Sequence, residues 1–587
     1  MMLIGRSIRS SMGFCLCATR GYSSGPRPKK LRYPKKNASS YASSGKKSMK
    51  LARTVAPSTA LKTRVLRTGK INHKNKRTNS ASSKNSDEPK SFKYGEFGGL
   101  KEVSETDIQK DISIIEKIDN FDALKILPIV RDSIRSIIAN ESSFKSSEPG
   151  KTAMTKDDIK PSPVQILAIR KLAKKLMEPK LQLHAIAAET GSGKTMAYLI
   201  PLLDYLKRVE IETPDVWEKL KDRSIIRSVI LVPTHELVQQ VYDTILQTEQ
   251  SLNLHTYKWS SGTSHEEFLA KLKDRIDILV TTPAKLLSLF KIRMISRPDK
   301  ILSQVKFVVL DEADTLLDRS WVEDTHEIIK RMPNTNHLLF CSATIPNEFN
   351  KTITRLFPSV TPIVTPRLHK LPQALNFKII NASLNPFKGS KMKALAQILY
   401  AIANDGTEPG YEKRSIIFVN EKKHVSKVVE LLNEQYGHNA IALTGDDKPD
   451  ERIKKLESFM SAPKLLKGVT PIAEEGDDTK PTEMKIPNSN ITIGSIENEH
   501  ISGNNKSVNK ILKLLVTTDL MARGLNFQGI KNVILYDVPK TSIDLVHRAG
   551  RTGRMKQRGR VFMIIDKKTK SWAKAIPLIL RKNKSLT

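Results

Sequence analysis

Residues 188–195 read Ala188-Glu189-Thr190-Gly191-Ser192-Gly193-Lys194-Thr195. A short apolar run, Leu183–Ala188, leads into them, and a helical-period segment, Met196–Leu206, follows. Strand, glycine-rich turn and helix in that order form the context of a phosphate-cradling loop. Gly191 and Gly193 let backbone N–H groups close around phosphates. Lys194 is expected to reach the β- and γ-phosphates of a nucleoside triphosphate, and Thr195 to hold Mg²⁺ through its hydroxyl. Ala188 stands where the general pattern has its first glycine.

Such a loop belongs to a parallel sheet, and its flanks supply one. β-branched runs occur at Leu183–Ala188, Ser228–Val232, Ile276–Thr281, Phe307–Leu310 and His337–Cys341, with helical-period segments between them. A second series runs Ser415–Val419, Ala440–Leu443, Leu512–Thr517, Asn532–Tyr536 and Arg560–Ile565. This alternation predicts an α/β protein of two parallel-sheet lobes with a cleft between them. Pro358, Pro362, Pro366, Pro372 and Pro386 mark the connection. We therefore expect lobes over 118–366 and 367–587, with the hinge near Pro366. Residues 140–160 and 461–508 lack clear periodicity and read as surface insertions. The second contains the acidic run Glu474-Glu475-Gly476-Asp477-Asp478.

Phe307–Leu310 ends in Asp311-Glu312-Ala313-Asp314. A carboxylate at a strand's C-terminal end projects into the crevice where ligands bind in such sheets. Asp311 is expected to support Mg²⁺ through water, and Glu312 to orient and polarise an attacking water.

The formal net charge is +37 over 587 residues. Residues 1–86 hold 21 Lys or Arg and no acid, so residues 87–587 carry the other +16. A basic arm on a basic body suits a polyanionic partner. The three cysteines, Cys15, Cys17 and Cys341, have no zinc spacing and support no disulfide framework. No apolar run reaches the ~18–20 residues that span a bilayer. Residues 1–22 carry Arg6, Arg9 and Arg20, several serines and no acid, the composition of a mitochondrial transit peptide. A disordered RNA-binding arm or a nuclear address is the alternative, since Lys29-Lys30 and Lys35-Lys36 follow. Residues 23–117 read as a basic disordered arm.

The residues also resemble a family. Over about 118–575 the chain looks like a DEAD-box RNA helicase of superfamily 2, which implies two tandem RecA-like lobes. Phe121 and Gln165 resemble the adenine-sensing Q motif. A Gln amide can donate to adenine N7 and accept from its N6 amine. By resemblance the nucleotide is held by Phe121, Gln165, Ala188, Glu189, Thr190, Gly191, Ser192, Gly193, Lys194, Thr195, Gly524 and Asn526. Ser342 and Thr344 of Ser342-Ala343-Thr344, with Asp314, resemble the set that couples hydrolysis to strand separation. Pro233, Thr234, Glu236, Gly262 and Thr282 resemble first-lobe RNA contacts. Asn420, Arg452, Thr517, Asp519 and Arg548 resemble those of the second lobe. Within His547–Arg554, Arg551 and Arg554 resemble arginine fingers that neutralise charge on the transferring phosphoryl group. Catalysis is thus expected from Lys194, Asp311, Glu312, Arg551 and Arg554, with ATP and Mg²⁺.

The departures cluster elsewhere. His235 stands in the place of a phosphate-contacting arginine, Ala284-Lys285 follow Thr282-Pro283, the glycine pair is Ser261-Gly262, Pro449 replaces a glutamine and Asn526 an aspartate. The resemblance is to fungal mitochondrial members linked to assembly of the large mitochondrial ribosomal subunit. It implies a monomer in the matrix acting on mitochondrial rRNA read by its backbone, alongside ribosome-assembly proteins. A DNA translocase, an ATP-locked RNA clamp with little turnover, and a nuclear or nucleolar helicase are the rival readings.

Overall fold

The computed structural model describes residues 105–143, then 159–466 except 293, 294, 296, 367, 369, 370, 372, 373 and 409, the segments 482–486 and 491–495, and 511–581 except 520–522, 554–557 and 570. The expected transit segment, most of the arm, most of 140–160 and Arg554 lie outside the described residues.

The first sheet has seven strands: β1 Gln182–Ala187, β2 Ile226–Leu231, β3 Thr256–Trp259, β4 Ile276–Thr281, β5 Phe307–Asp311, β6 His337–Ser342 and β7 Thr361–Val364. Their order is β3-β4-β2-β5-β6-β1-β7, and every pairing is parallel. The second sheet has six: β8 Leu375–Asn381, β9 Lys413–Phe418, β10 Ala440–Leu443, and, after a hairpin β11 Thr482–Ile486 and β12 Ile491–Ser495, β13 Leu512–Thr517, β14 Ile530–Leu535 and β15 Gly559–Ile565. Their order is β10-β13-β9-β14-β15-β8, again all parallel. The chain passes from the first sheet to the second between Val364 and Leu375, the segment that contains Pro366.

All-parallel pairing has one consequence that matters for function. Every strand of a lobe ends on the same edge of its sheet, so loops far apart in sequence converge there. β2, β4, β6 and β9 are buried along their whole length because both sheet faces are covered, and the charged residues they carry are paired, Arg227 with Asp277 and Lys413 with Asp405, each at 2.7 Å.

The structure adds three core-lobe strands to the predicted set, and each has a reason to be quiet in sequence. β3, β7 and β8 lie at sheet edges. An edge strand contacts fewer neighbours and tolerates polar residues, as in Thr256-Tyr257-Lys258-Trp259. β7 even contains Pro362, which an edge accepts. The arm expected to run to residue 117 is helical from Glu105 to Lys117. Ile114 and Ile115 pack on the core, and Asp111 pairs with Lys171 at 2.9 Å. Residues 461–508, expected without periodicity, contain the antiparallel β11–β12 hairpin. The helix after the glycine-rich loop runs Lys194–Glu212, eight residues longer than its apolar pattern suggested. Arg208 links Asp204 and Glu212 along that extension.

Candidate active site

The glycine-rich loop closes tightly. Gly191 and Gly193 have φ values of +77° and +89°, a region L side chains avoid. A Cβ on Gly193 would come within 2.6 Å of Gln165 Nε2. That amide donates to Gly193 O at 3.3 Å, while Gln165 Oε1 accepts from Ser162 N at 2.8 Å. Gln165 is thus built into the loop's second side. Lys194 Nζ donates to Ala188 O at 3.1 Å and Glu189 O at 3.0 Å, spanning the cradle. Glu189 accepts from Thr365 Oγ1 at 3.0 Å. Thr190 is buried where lobe two approaches, and a Cβ on Gly550 would meet Thr190 Oγ1 at 2.0 Å. Phe121 is fully buried in the same apolar core as Val164 and Ile166. As placed it packs beneath the site and offers no open ring face to a base.

Asp311 ends β5 beside the loop. Its Oδ2 accepts from the Tyr198 hydroxyl at 3.0 Å, and its Oδ1 from Glu312 N at 3.0 Å. Burial and the neighbouring Glu312 push its carboxyl well above the usual range, with Tyr198 and Lys194 pulling the other way. A divalent cation would reverse that balance by its own charge. Glu312 sits in left-handed backbone at φ +51°, a strained conformation for a non-glycine residue. Its Oε2 is buried without a hydrogen-bond partner, as is Ser192 Oγ. Two orphaned buried polar atoms, one on the loop and one at the strand end, fit a site that takes a hydrated ion and a phosphate. The donors Thr195 and Asp311 are hard oxygens, the kind Mg²⁺ prefers while keeping several waters.

Lobe two completes the wall. Arg551 is 2% exposed. Its Nε donates to His547 O at 3.0 Å and its NH1 group to Leu525 O at 2.9 Å. Burial pulls its pKa down to about 10, opposed by the charge of Glu312. A Cβ on Gly524 would lie 3.2 Å from Glu312 Oε1. Gln240 of lobe one accepts from Asn526 N at 2.5 Å and donates to Gly524 O at 3.4 Å.

A second junction ties the lobes. Asp314 Oδ2 accepts from Thr344 Oγ1 at 2.6 Å and meets His547 Nε2 at 3.2 Å. Thr344 Oγ1 and His547 Nε2 are 3.3 Å apart. Burial alone would raise the Asp314 carboxyl; His547, Arg523 and Thr344 together hold it below the usual carboxylate range. Ser342 Oγ donates to Thr344 O at 2.8 Å, shaping the turn that presents Thr344. Arg523 donates to Thr315 Oγ1 at 3.0 Å and pairs with Asp544 at 3.3 Å.

The expected RNA contacts divide into two groups. Pro233, Thr234, Gly262 and Thr282 lie in loops that follow β2, β3 and β4, on one edge. Thr234 and Thr282 cap the helices His235–Leu252 and Pro283–Leu287. His235 Nδ1 accepts from Ser261 N at 3.2 Å. A backbone N–H can only donate, so the ring's proton lies on Nε2. Burial lowers the His235 pKa, with Glu236 opposing.

The other group differs from the sequence expectation. Arg548 is 1% exposed. It donates to both carboxylate oxygens of Asp519 at 2.5 and 2.8 Å, to Asp537 O at 3.0 Å and to Asn420 Oδ1 at 2.7 Å. Asn420 also donates to Val538 O at 2.9 Å. The Thr517 hydroxyl donates to Leu443 O at 3.1 Å, and Thr517 is fully buried. Their polar groups are engaged in holding the second-lobe loops together. Glu236 and Arg452 pair with each other across the lobes at 2.8 Å. Tyr198, Gln240, Arg523 and His547 were not among the expected site residues. The signal that could have found His547 was its place beside Arg548 and Arg551.

A phosphate loop, an acidic strand end and an arginine from a second lobe define a two-lobe P-loop nucleoside triphosphatase. Residues 162–352 match the model of the DEAD/DEAH box helicase family, and residues 490–556 that of the helicase conserved C-terminal domain. The chain is 60% identical over 519 residues to the ATP-dependent RNA helicase MRH4, mitochondrial, of Saccharomyces cerevisiae (strain ATCC 204508 / S288c), spanning 88% of this chain and 91% of that one. The protein of the same name from Vanderwaltozyma polyspora is 60% identical over 497 residues, with 84% and 90% covered. Among solved structures, Mss116p bound to ssRNA and AMP-PNP superposes with a TM-score of 0.55 at 20% identity, over 80% of this chain and 79% of that one. S. cerevisiae Dbp5 bound to RNA and ADP BeF3 gives 0.52 at 20% identity, over 80% and 94%. The chain belongs to the mitochondrial DEAD-box ATP-dependent RNA helicases.

Proposed function

We propose that the enzyme is a two-lobe clamp that uses ATP to separate short RNA strands or strip protein from RNA during assembly of the large mitochondrial ribosomal subunit. The observation that carries the clamp is Arg551 of lobe two, buried and bonded to Leu525 O next to Gly524, whose Cβ position lies 3.2 Å from Glu312 Oε1 of lobe one. ATP lies along the glycine-rich loop with its base toward Gln165. Lys194 and Arg551 draw charge from the phosphates, and Glu312 orients the attacking water. Arg554, which lies outside the described residues, is assigned the same duty as Arg551. Mg²⁺, held by Thr195 and Asp311, would supply neutralisation of phosphate charge. Asp314, Thr344 and His547 report the state of the nucleotide edge to the lobe junction.

RNA runs along the edge formed by Pro233, Thr234, Gly262 and Thr282. Backbone contacts there read phosphate and 2′-OH and not sequence. Closure of the lobes brings Arg551 to the nucleotide and bends the RNA, and hydrolysis releases both. The segment 1–22 serves import into the matrix and is removed there. Mitochondrial rRNA and ribosome-assembly proteins are the partners, and the enzyme acts as a monomer.

The test is ATPase rate of residues 23–587 with and without single-stranded RNA, alongside Glu312→Gln. RNA stimulation lost in the variant supports the cycle. A slow, RNA-insensitive rate with tight ATP-dependent RNA binding replaces it with a static clamp. Crosslinking in mitochondria should recover large-subunit rRNA; crosslinks spread over messenger RNAs overturn the assembly role.

A further inference from the structure

The helix Lys194–Glu212 carries a tyrosine where the site asks only for bulk. Tyr198 is fully buried. A phenyl ring would fill the same space, so the hydroxyl requires an account of its own. It donates to Asp311 Oδ2 at 3.0 Å. Thr195 lies one turn earlier on the same helix. The phenol oxygen therefore ties the first turns of the helix to the end of β5, at a carboxylate assigned to Mg²⁺.

We propose that the Tyr198 hydroxyl is a positioning group that sets the Asp311 carboxylate for a hydrated divalent cation. The inference rests on the Mg²⁺–ATP reading of the site. Tyr198 holds one carboxylate oxygen of Asp311 and Glu312 N–H the other, so the carboxylate plane is set before any ion arrives. Each oxygen keeps a lone pair for a metal-bound water.

The experiment uses the full chain with Tyr198→Phe, which removes one oxygen and keeps the ring. Binding of a fluorescent ATP analogue is titrated with Mg²⁺, and repeated in EDTA. The Mg²⁺ midpoint should rise on the order of tenfold, the usual effect of losing a group that orients a metal ligand. Affinity in EDTA and thermal midpoint should stay at the wild-type values. In an Asp311→Asn background the same change should shift nothing further. A Tyr198→Phe midpoint within about twofold of wild type, or an equal loss in EDTA, overturns the proposal. A wild-type protein whose nucleotide binding ignores Mg²⁺ overturns the underlying metal reading instead.

Discussion

Glu236→Gln should open the clamp without unfolding either lobe. Glu236 and Arg452 pair at 2.8 Å with side chains 5% and 11% exposed. One comes from the helix after β2, the other from the helix Pro449–Met460 of lobe two. Removing one partner of a buried pair costs about 3–5 kcal/mol, because the survivor keeps its charge out of water. Here the survivor has an escape. When the lobes part, Arg452 is hydrated and the penalty vanishes. The cost therefore falls on closure alone.

At about 3 kcal/mol the closed fraction drops on the order of a hundredfold relative to open. ATP and RNA both favour closure, so their half-saturating concentrations should rise together. The assay is fluorescence transfer between dyes on the two lobes, with ATP analogue and RNA present. Thermal midpoints of both lobes should hold. The exchange Glu236→Arg with Arg452→Glu should recover much of the closure. Normal closure in Glu236→Gln, or lost closure that the exchange leaves unrepaired, refutes the assignment of this pair to the clamp.

His235→Arg places a fixed charge on the RNA edge, where the neutral ring now holds Ser261 N–H. RNA affinity should rise, and the slope of log affinity against log salt should steepen by about 0.7; an unchanged slope places His235 away from phosphate. His184 is buried and its pKa is pulled down to about 4, by burial first and by His337 and Lys171 next. Its folded pKa is below its unfolded one, so it must stay neutral, and stability falls as pH drops from about 6.5 toward 4. His184→Phe should flatten thermal midpoint against pH in that window, by up to roughly 3 kcal/mol at the acid end; parallel profiles refute it. Lys194→Ala should abolish ATP hydrolysis, since the cradle loses the cation that spans it; wild-type turnover would sink the site assignment.

What was legible in the sequence was whatever repeats locally. Central strands such as Ile276–Thr281 and Leu512–Thr517 match their structural bounds, because burial on both faces demands mostly apolar residues, with Asp277 and Lys513 as the exceptions. The turn before Lys194 and the strand end at Asp311 were legible because spacing and strand context are themselves local. The edge strands β3, β7 and β8 were not, since their partners more than their composition make them strands, whereas the edge strand β10, wholly apolar over Ala440–Leu443, was. Arg548 was incompletely legible for the opposite reason. Its motif position suggested RNA, but Asp519 and Asn420 take its donors, and neither is near it in sequence.

Tyr198 and His547 show what kind of information was missing. Each is paired with a carboxylate of the Asp311–Asp314 run, the first across 113 residues and the second across 233. A hydroxyl or imidazole carries no periodic signal of its partner. The parallel sheet of lobe one sets the phosphate-loop helix beside the end of β5, and the lobe junction brings His547 to Asp314. Two neighbouring carboxylates thus receive opposite treatment. Asp311 is raised by burial and Glu312, ready to give up its proton when a cation arrives; Asp314 is depressed by His547, Arg523 and Thr344 and stays charged. The first is a nucleotide-dependent charge, the second a permanent one that anchors lobe two. A clamp that closes on ATP needs one of each, and the four-residue run supplies both because its two ends face different lobes.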